Sequence, residues 1–173
     1  MKNYIGFRAD RTLGRKNGGV ITYIKETEAV DAEQLIAKSN SYVEYQLIHV
    51  KKCNIVIINV YCPPDCPTEK FSSPLNELRT KRLEIGNPMP NIIFTGDLNF
   101  PTIDWQMETA DGWTHENQVQ ANAYLQFAQE QCLQQYIEEP TRKNNIFDVF
   151  LTNSDKLSRQ MITETSMSDH NII

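Results

Sequence analysis

The sequence predicts a single mixed domain, α/β or α+β in class. Apolar stretches rich in β-branched residues recur along the chain, which is typical of strands, and two longer stretches between them have helical character. No internal repeat or low-complexity segment is present. Strands and helices that alternate in this way build a mixed domain, and no linker-like stretch divides residues 1–173.

The composition is that of an ordinary globular protein of 173 residues, with 40% hydrophobic and 23% charged residues. A chain of this length can bury a sizeable core. The net charge of −5 argues against binding of nucleic acid by bulk attraction alone, although a localised site can still act on it. No apolar run approaches the roughly 20 residues that span a bilayer, and the N-terminus has no secretory signal. We therefore expect an intracellular protein without membrane contact, whose four cysteines are reduced thiols.

The first half of the chain predicts a leading loop and three strands. Residues 1–17 lack apolar periodicity, so we expect a loop there whose basic residues are solvated, with contact to a nucleic-acid backbone as the alternative. The basic residues of this loop are Arg8, Arg11, Arg15 and Lys16. Gly18 and Gly19 open the first strand. The predicted strands cover residues 20–24, 42–50 and 54–61, the last of them buried on both faces. The short connection between the second and third strands indicates a hairpin.

The second half predicts two helices and three strands. The first helix covers about residues 69–85 and is expected to break near Pro74, and a strand follows at 91–95. After a loop over 100–116, a second helix is expected over about 117–135. The core candidates on this helix are Val119, Ala123, Leu125, Phe127, Ala128 and Leu133. The last predicted strands cover residues 146–151 and 160–165.

The sequence Gly96-Asp97-Leu98-Asn99 places two polar side chains directly after an apolar strand. Because their spacing is two, the side chains of Asp97 and Asn99 lie on the same face of an extended chain. A carboxylate and a carboxamide there can hold a phosphate, an attacking water or a hard metal ion. The alternative is a plain Asp/Asn turn whose side chains bond the local backbone.

Two further acids stand out by their surroundings. Asp148 interrupts an apolar strand, and burial of a carboxylate is costly unless it is paired. His170 is a natural partner, since an Asp–His pair raises the basicity of the imidazole and suits it to general-base work. Asp169, together with Asp97 and Asn99, offers the oxygen ligands that Mg²⁺ or Mn²⁺ prefers. These residues indicate metal-assisted attack of water on a phosphodiester.

Six stretches of the sequence occur in the order found in one enzyme family. They are residues 18–25 (GGVITYIK), 60–64 (VYCPP), 94–105 (FTGDLNFPTIDW), 139–142 (EPTR), 147–153 (FDVFLTN) and 168–171 (SDHN). On these residues the chain resembles the endonuclease/exonuclease/phosphatase superfamily, and more narrowly the endonuclease domain of non-LTR (LINE-type) retrotransposons. The resemblance implies a DNase I-like fold, a four-layer sandwich of two mixed β-sheets flanked by helices.

The resemblance also implies a role for each matching residue. His170 would be the general base and Asp148 the acid that orients it. Asp97 would contact the attacking water or the leaving group, and Asn99 would steady the scissile phosphate. The other residues implied in phosphate contact are Tyr61, Thr141 and the supporting Ser168, with Asp169 on the metal side. Arg142 is the basic residue that we expect to contact phosphate.

The implied activity is nicking of DNA with Mg²⁺ or Mn²⁺ as cofactor. The nick would leave a 3′-hydroxyl that primes reverse transcription by a reverse transcriptase domain of a parent polyprotein, in the nucleus when chromosomal DNA is the substrate. The alternatives within the superfamily are an abasic-site endonuclease and a phosphatase. The alternative without enzymatic activity is a catalytically dead remnant or a fold kept for binding.

One departure from the family pattern concerns the metal site. The family places an asparagine and a metal-binding glutamate ahead of the Gly-Gly-Val strand, and no residue before Gly18 matches them. The nearest glutamates are Glu26, Glu28 and Glu44, none in that motif context. We therefore expect a partial domain that lacks its first strands and also a final core strand, with weak or absent nuclease activity.

Overall fold

The structure, a computed structural model, describes residues 2–12, 18–100, 103–105, 108–110, 115–157 and 169–170. Its centre is a six-stranded mixed sheet with the strand order β3-β4-β5-β6-β10-β9. The strands of this sheet are β3 (Ala32–Ser39), β4 (Glu44–Val50), β5 (Ile55–Tyr61), β6 (Asn91–Asp97), β9 (Gln134–Gln135) and β10 (Asp148–Thr152). Only β5 and β6 run parallel, and the other neighbours are antiparallel. The predicted mixed fold class is confirmed.

A smaller antiparallel sheet covers one face of the large sheet. It consists of β1 (Tyr4–Asp10) and β2 (Gly19–Lys25), which pair along their whole length. Ile24 of this pair and Ala29 of the short helix α1 (Glu26–Ala29) pack against Ile48 and Val50 of β4. The expectation of a loop over residues 1–17 is wrong for β1. Five of its seven residues are exposed, so burial does not mark it as a strand, and its pairing with β2 identifies it.

Two helices cover the other face of the large sheet. They are α2 (Thr68–Ile85) and α3 (His115–Glu130). Phe94 of β6 lies at the centre of this layer, with ring centroids 5.3 Å from Tyr124 and 5.7 Å from Phe127, both on α3. The parallel strands β5 and β6 are joined through α2, as a parallel crossover requires. Neither helix, nor any other helix in the described residues, is long and apolar enough to cross a membrane.

The expected break of the first long helix at Pro74 does not occur, since α2 runs on to Ile85. A proline removes the N–H that would bond the carbonyl four residues earlier, which here is that of Lys70. The side chain of Asn40 donates to this carbonyl at 2.8 Å. The loop before β4 thus supplies the hydrogen bond that the proline cannot.

The second predicted helix differs from α3 at its end and in part of its core. The helix ends at Glu130 rather than near residue 135, and β9 follows. Val119 is 39% exposed, whereas Ala121 and Tyr124 are fully buried, so the apolar stripe is rotated from the predicted one. The predicted loop over 100–116 contains the short strands β7 (Ile103–Asp104) and β8 (Thr109–Ala110). The strand predicted over 160–165 lies outside the described residues.

The remaining strand predictions are confirmed, with boundaries that differ by at most two residues at either end. β3 was not predicted. β4 and β5 form the predicted hairpin, joined by a 3₁₀ turn at Lys51–Cys53. A second 3₁₀ turn at Asp155–Leu157 follows β10. All four cysteines carry free thiols.

Candidate active site

The carboxyl end of β6 meets the start of β10, and each contributes an aspartate. Asp97 and Asp148 are direct partners in the antiparallel register of these strands. Side chains of such partners lie on the same face of a sheet, so the two carboxylates stand side by side. The local chain demands glycine at the preceding position, because Gly96 has a φ of +135° and a Cβ there would lie 1.8 Å from the carbonyl oxygen of Val60.

Asn99 forms a turn with Asp97 directly after β6. Its backbone N–H donates to Oδ1 of Asp97 at 3.1 Å, and its own φ of 53° is in the left-handed region. Its side-chain amide donates to the carbonyl of Cys62 at 3.1 Å. The Asp/Asn turn considered as an alternative is therefore present, and it fixes the two predicted site residues relative to each other.

His170 completes the group. Its Nδ1 lies 2.6 Å from Oδ2 of Asp148, and both side chains are about four-fifths buried. The predicted pairing of these two residues is thus present in the structure. The ring of Phe147 packs near the imidazole, with centroids 6.1 Å apart, which limits the orientations of the histidine.

Asp97 is a partly buried acid beside a second carboxylate. Burial raises the pKa of Asp97 to about 6, and the neighbouring Asp148 adds to the rise, while His170 and hydrogen bonds from Asn99 oppose it. Single ligand atoms of Asp97, Asp148 and His170 lie within 4.8 Å of one another. Carboxylate oxygens are the ligands that Mg²⁺ and Mn²⁺ prefer, and a cation would relieve the repulsion between the two acids. The donor set therefore fits a hard divalent metal.

Thr141 is tied to the backbone that leads into β10. Its hydroxyl oxygen accepts from the N–H groups of Phe147 at 3.0 Å and Asp148 at 3.1 Å, and the residue is fully buried. The predicted phosphate contact of Thr141 is not visible in this arrangement. The hydroxyl instead holds the backbone of Phe147 and Asp148 in place.

Asp169 and Arg142 bind each other. The guanidinium Nη2 of Arg142 lies 2.5 Å from Oδ2 of Asp169, and its Cζ lies 5.8 Å from the centre of the Phe147 ring. Hydrogen bonding and charge from Arg142 outweigh desolvation and lower the pKa of Asp169. The structure therefore places both predicted residues beside His170, but it directs the Asp169 carboxylate to an arginine rather than to the other acids.

Tyr61 lies at the end of β5, one strand away from Asp97. The next residue, Cys62, donates its backbone N–H to the carbonyl of Asp97 at 2.9 Å, which locks the two strand ends together. The Cζ atom of Arg11 lies 5.7 Å from the centre of the Tyr61 ring. Ser168, the remaining predicted site residue, lies outside the described residues.

Sequence reasoning missed two contributors to this site. Phe147 packs on His170 and accepts the N–H of Leu98 at its carbonyl, 3.0 Å away. Arg11 was expected in a solvated loop, yet its side chain is only 7% exposed. The position of Phe147 beside a candidate acid was a usable signal, whereas nothing local marked Arg11.

Comparison with known proteins identifies the family and the fold. A family model described as endonuclease-reverse transcriptase matches residues 55–173. Among solved structures, the endonuclease domain of TRAS1, a telomere-specific non-LTR retrotransposon, is similar with a TM-score of 0.61 and 22% identity. That match covers 99% of this chain and 76% of the other. No protein of curated function matches the chain by sequence.

More distant enzymes share the fold. An endonuclease/exonuclease/phosphatase family protein from Bacteroides thetaiotaomicron has a TM-score of 0.59 at 11% identity, covering 99% of this chain and 72% of its own. The AP endonuclease LMAP from Leishmania major has a TM-score of 0.54 at 14% identity, covering 91% and 63%. With the family model spanning well over half of its residues, the chain belongs to the endonuclease-reverse transcriptase family, within the endonuclease/exonuclease/phosphatase superfamily.

Proposed function

We propose that this chain is a divalent-metal-dependent endonuclease that nicks DNA for a non-LTR retrotransposon. The observation that carries the proposal is the group of Asp97, Asp148 and His170 at one end of the large sheet. A paired carboxylate and imidazole beside a second carboxylate is an arrangement suited to hydrolysis by water. Support for DNA as the substrate comes from the description of the matching family and from the likeness to the TRAS1 endonuclease domain.

Each residue has a separate task in the proposed reaction. Asp148 holds Nδ1 of His170, so proton transfer with the attacking water is assigned to Nε2. The positive charge that forms on the imidazole is stabilised by the same carboxylate. Asp97 orients the water or the leaving group, and Asn99 steadies the scissile phosphate. Tyr61 and Arg142 would contact phosphate oxygens from either side, with Ser168 in support.

The acids of this site would hold Mg²⁺ or Mn²⁺, with Asp97 and Asp148 facing the ion and Asp169 on the metal side. When bound, the ion supplies positive charge against the negative charge that develops on the phosphate. Because Asp169 bonds Arg142 in this structure, its use as a ligand requires that this ion pair open. Arg142 is then available to a phosphate oxygen.

The proposal places the chain in a larger process. A nick that leaves a 3′-hydroxyl would prime reverse transcription, and the reverse transcriptase would be a further domain of the parent polyprotein. The site of action is the nucleus when the target is chromosomal DNA.

Conversion of supercoiled plasmid to open circles tests the chemistry. We expect slow nicking by the 173-residue chain with Mg²⁺ or Mn²⁺, none with EDTA, and a loss of at least about a hundredfold in His170→Ala, typical of a lost general base. Asp155→Asn, an exposed acid on the turn after β10, is the control and should nick as the wild type does. Nicking that persists in His170→Ala would show that a contaminant or another site is responsible.

Binding of metal gives a readout that does not depend on activity. A ligand of the folded state stabilises it by about 2.7 kcal/mol at a hundred times its dissociation constant. We expect Mn²⁺ to raise the melting temperature of the wild type and of Asp155→Asn, and not that of Asp97→Asn/Asp148→Asn. No shift in the wild type and no His170-dependent nicking would together favour a fold kept for binding.

A matched pair of duplexes distinguishes the enzyme classes. One duplex is intact and the other carries a single abasic site. Similar cleavage of both duplexes supports a retrotransposon endonuclease, and cleavage of the abasic duplex alone supports a repair enzyme. Release of phosphate from a sugar phosphate without cleavage of either duplex supports a phosphatase.

A further inference from the structure

A row of polar side chains crosses four neighbouring strands at the site. Glu44 on β4 is the register partner of Tyr61 on β5, and Asp97 is the partner of Asp148. The parallel register between β5 and β6 pairs Asn59 with Thr95, so two residues further on Tyr61 stands next to Asp97. Since partners in a sheet share a face, Tyr61 lies between a buried glutamate and the site acids.

Arg11 holds the outer end of this row. Its Nε lies 2.6 Å from Oε1 of Glu44 and its Nη2 lies 2.8 Å from Oε2, a two-pronged ion pair. The side chain of Glu44 is fully buried and that of Arg11 is 7% exposed. Ser39 adds a hydrogen bond to Oε1 at 3.3 Å. The hydrogen bond with Glu44, against the effect of burial, raises the pKa of Arg11, so the guanidinium keeps its charge.

The backbone around Arg11 is shaped to admit its guanidinium. Arg11 donates its N–H to the carbonyl of Gly18 at 3.4 Å, across the connection between β1 and β2. A Cβ on Gly18 would lie 2.6 Å from the guanidinium carbon, and its φ of +146° is one that other residues rarely adopt. The first glycine of the Gly-Gly pair, which the function so far leaves unexplained, thus provides the space for this side chain.

Stability alone is a poor reason for this arrangement. Two buried charges cost desolvation energy, and well-packed apolar side chains of similar volume often stabilise a protein as well or better. An apolar pair cannot, however, hold a planar cation over the ring of Tyr61. The arrangement therefore provides orientation that a hydrophobic contact would not.

We propose that Arg11 is a positioning residue, anchored by Glu44, that sets the ring of Tyr61 beside Asp97 and so fixes the phosphate side of the site. This inference rests on the proposed function for the role of Tyr61, but not for the geometry. Arg11 itself is too buried to be assigned a contact with DNA. Its effect on the reaction passes through the tyrosine.

The first test follows the tyrosine directly. The chain is labelled with 3-fluorotyrosine, and the ¹⁹F resonance of Tyr61 is assigned by its loss in Tyr61→Phe. The double variant Arg11→Met/Glu44→Leu removes both charges and leaves no unpaired ion buried. We expect its Tyr61 resonance to shift or broaden while the other tyrosine resonances stay in place. An unchanged Tyr61 resonance overturns the proposal, whether or not the chain nicks DNA.

A control variant keeps the fold effects separate. Arg8→Met removes the exposed ion pair with Asp10 on the same small sheet and should leave the Tyr61 resonance unchanged. If all tyrosine resonances of the double variant move to the position of unfolded tyrosine, the variant does not fold. Arg11→Lys then decides, because lysine keeps the charge and loses the planar fork. A Tyr61 resonance that moves in Arg11→Lys supports the proposal, and one that stays in place refutes it.

The second test is a coupling measurement in the nicking assay. We expect Arg11→Met/Glu44→Leu and Tyr61→Ala each to lower kcat/KM by about tenfold, and the double variant to cause no further loss in the Tyr61→Ala background. Losses that multiply would assign the pair a structural role independent of Tyr61. If the wild type does not nick, the proposed function fails, and the ¹⁹F result still decides the positioning.

Discussion

Asp148 and His170 are separated by 22 positions in the chain, yet Nδ1 of the imidazole lies 2.6 Å from the aspartate Oδ2. The contact fixes which ring nitrogen faces the acid and which is left for chemistry. It also explains how a carboxylate is tolerated at the start of a strand in the core sheet, because a paired acid escapes most of the desolvation cost.

Asp148→Asn should lower the rate of nicking about a hundred- to ten-thousandfold, the range of a positioned general base. The carboxamide keeps the size of the side chain and loses the charge that stabilises the imidazolium. Single-turnover nicking at saturating DNA measures the change. Asp155→Asn is the matched control. A rate for Asp148→Asn within twofold of the wild type would refute the catalytic pairing.

The raised pKa of Asp97 makes stability depend on pH. Its ordinary pKa of 3.8 rises to about 6 in the folded chain, so between these values the folded state binds more proton than the unfolded state. The free energy of unfolding therefore falls as the pH rises through this window. Asp97→Asn removes the penalty and should be more stable than the wild type at about pH 7.5 by on the order of 2 kcal/mol.

Urea titrations at two pH values check this prediction. At about pH 4 the wild type and Asp97→Asn should have nearly equal stability, because the aspartate is then mostly protonated in the folded state. Asp155→Asn should show no such pH-dependent gain. A gain for Asp97→Asn that is as large at low pH would point to packing rather than to charge.

Thr141→Val should destabilise the chain by about 1–3 kcal/mol, because it leaves two partly buried N–H groups without their acceptor at unchanged volume. Thr152→Val is a matched control, since Thr152 is also buried and accepts one N–H, that of Ser154. We expect a smaller loss there. Nicking at a temperature where both variants are folded should fall only for Thr141→Val, since Thr141, unlike Thr152, accepts the N–H of Asp148. Equal activity of the two variants would contradict this assignment.

Gly96→Ala should prevent stable folding, because its Cβ would overlap the carbonyl of Val60 within the sheet and the φ of +135° is strained for alanine. Gly86→Ala provides the comparison, since Gly86 also has a positive φ, +91°, but nothing lies within 4 Å of its Cβ. We expect a loss of about 1–3 kcal/mol there, from backbone strain alone, since its φ of 91° and ψ of −150° lie in a region that residues other than glycine rarely adopt. Far-ultraviolet circular dichroism during urea unfolding measures both. A Gly96→Ala chain as stable as Gly86→Ala would show that β5 and β6 can move apart.

The strands that local patterns predicted and those that they missed differ in how they are held. β5 and β6 are apolar and central, so their composition alone identified them. β1 exposes most of its residues and half of the residues of β3 are polar, so these two strands are identified by their pairing with β2 and β4. The continuity of α2 through Pro74 likewise depends on Asn40, 30 residues away from the carbonyl that it bonds.

Short motifs and local apolar periodicity carry the class of fold, the family and the residue types of the site. How those residues meet depends on tertiary contacts. The strand register sets Asp97 beside Asp148, Asp169 turns to Arg142, Thr141 supports the backbone, and Arg11 reaches Tyr61. Apart from the hydrogen bonds of Thr141, which span six and seven residues, these contacts join segments that are distant in the chain. Their geometry follows from sheet pairing and burial rather than from local sequence.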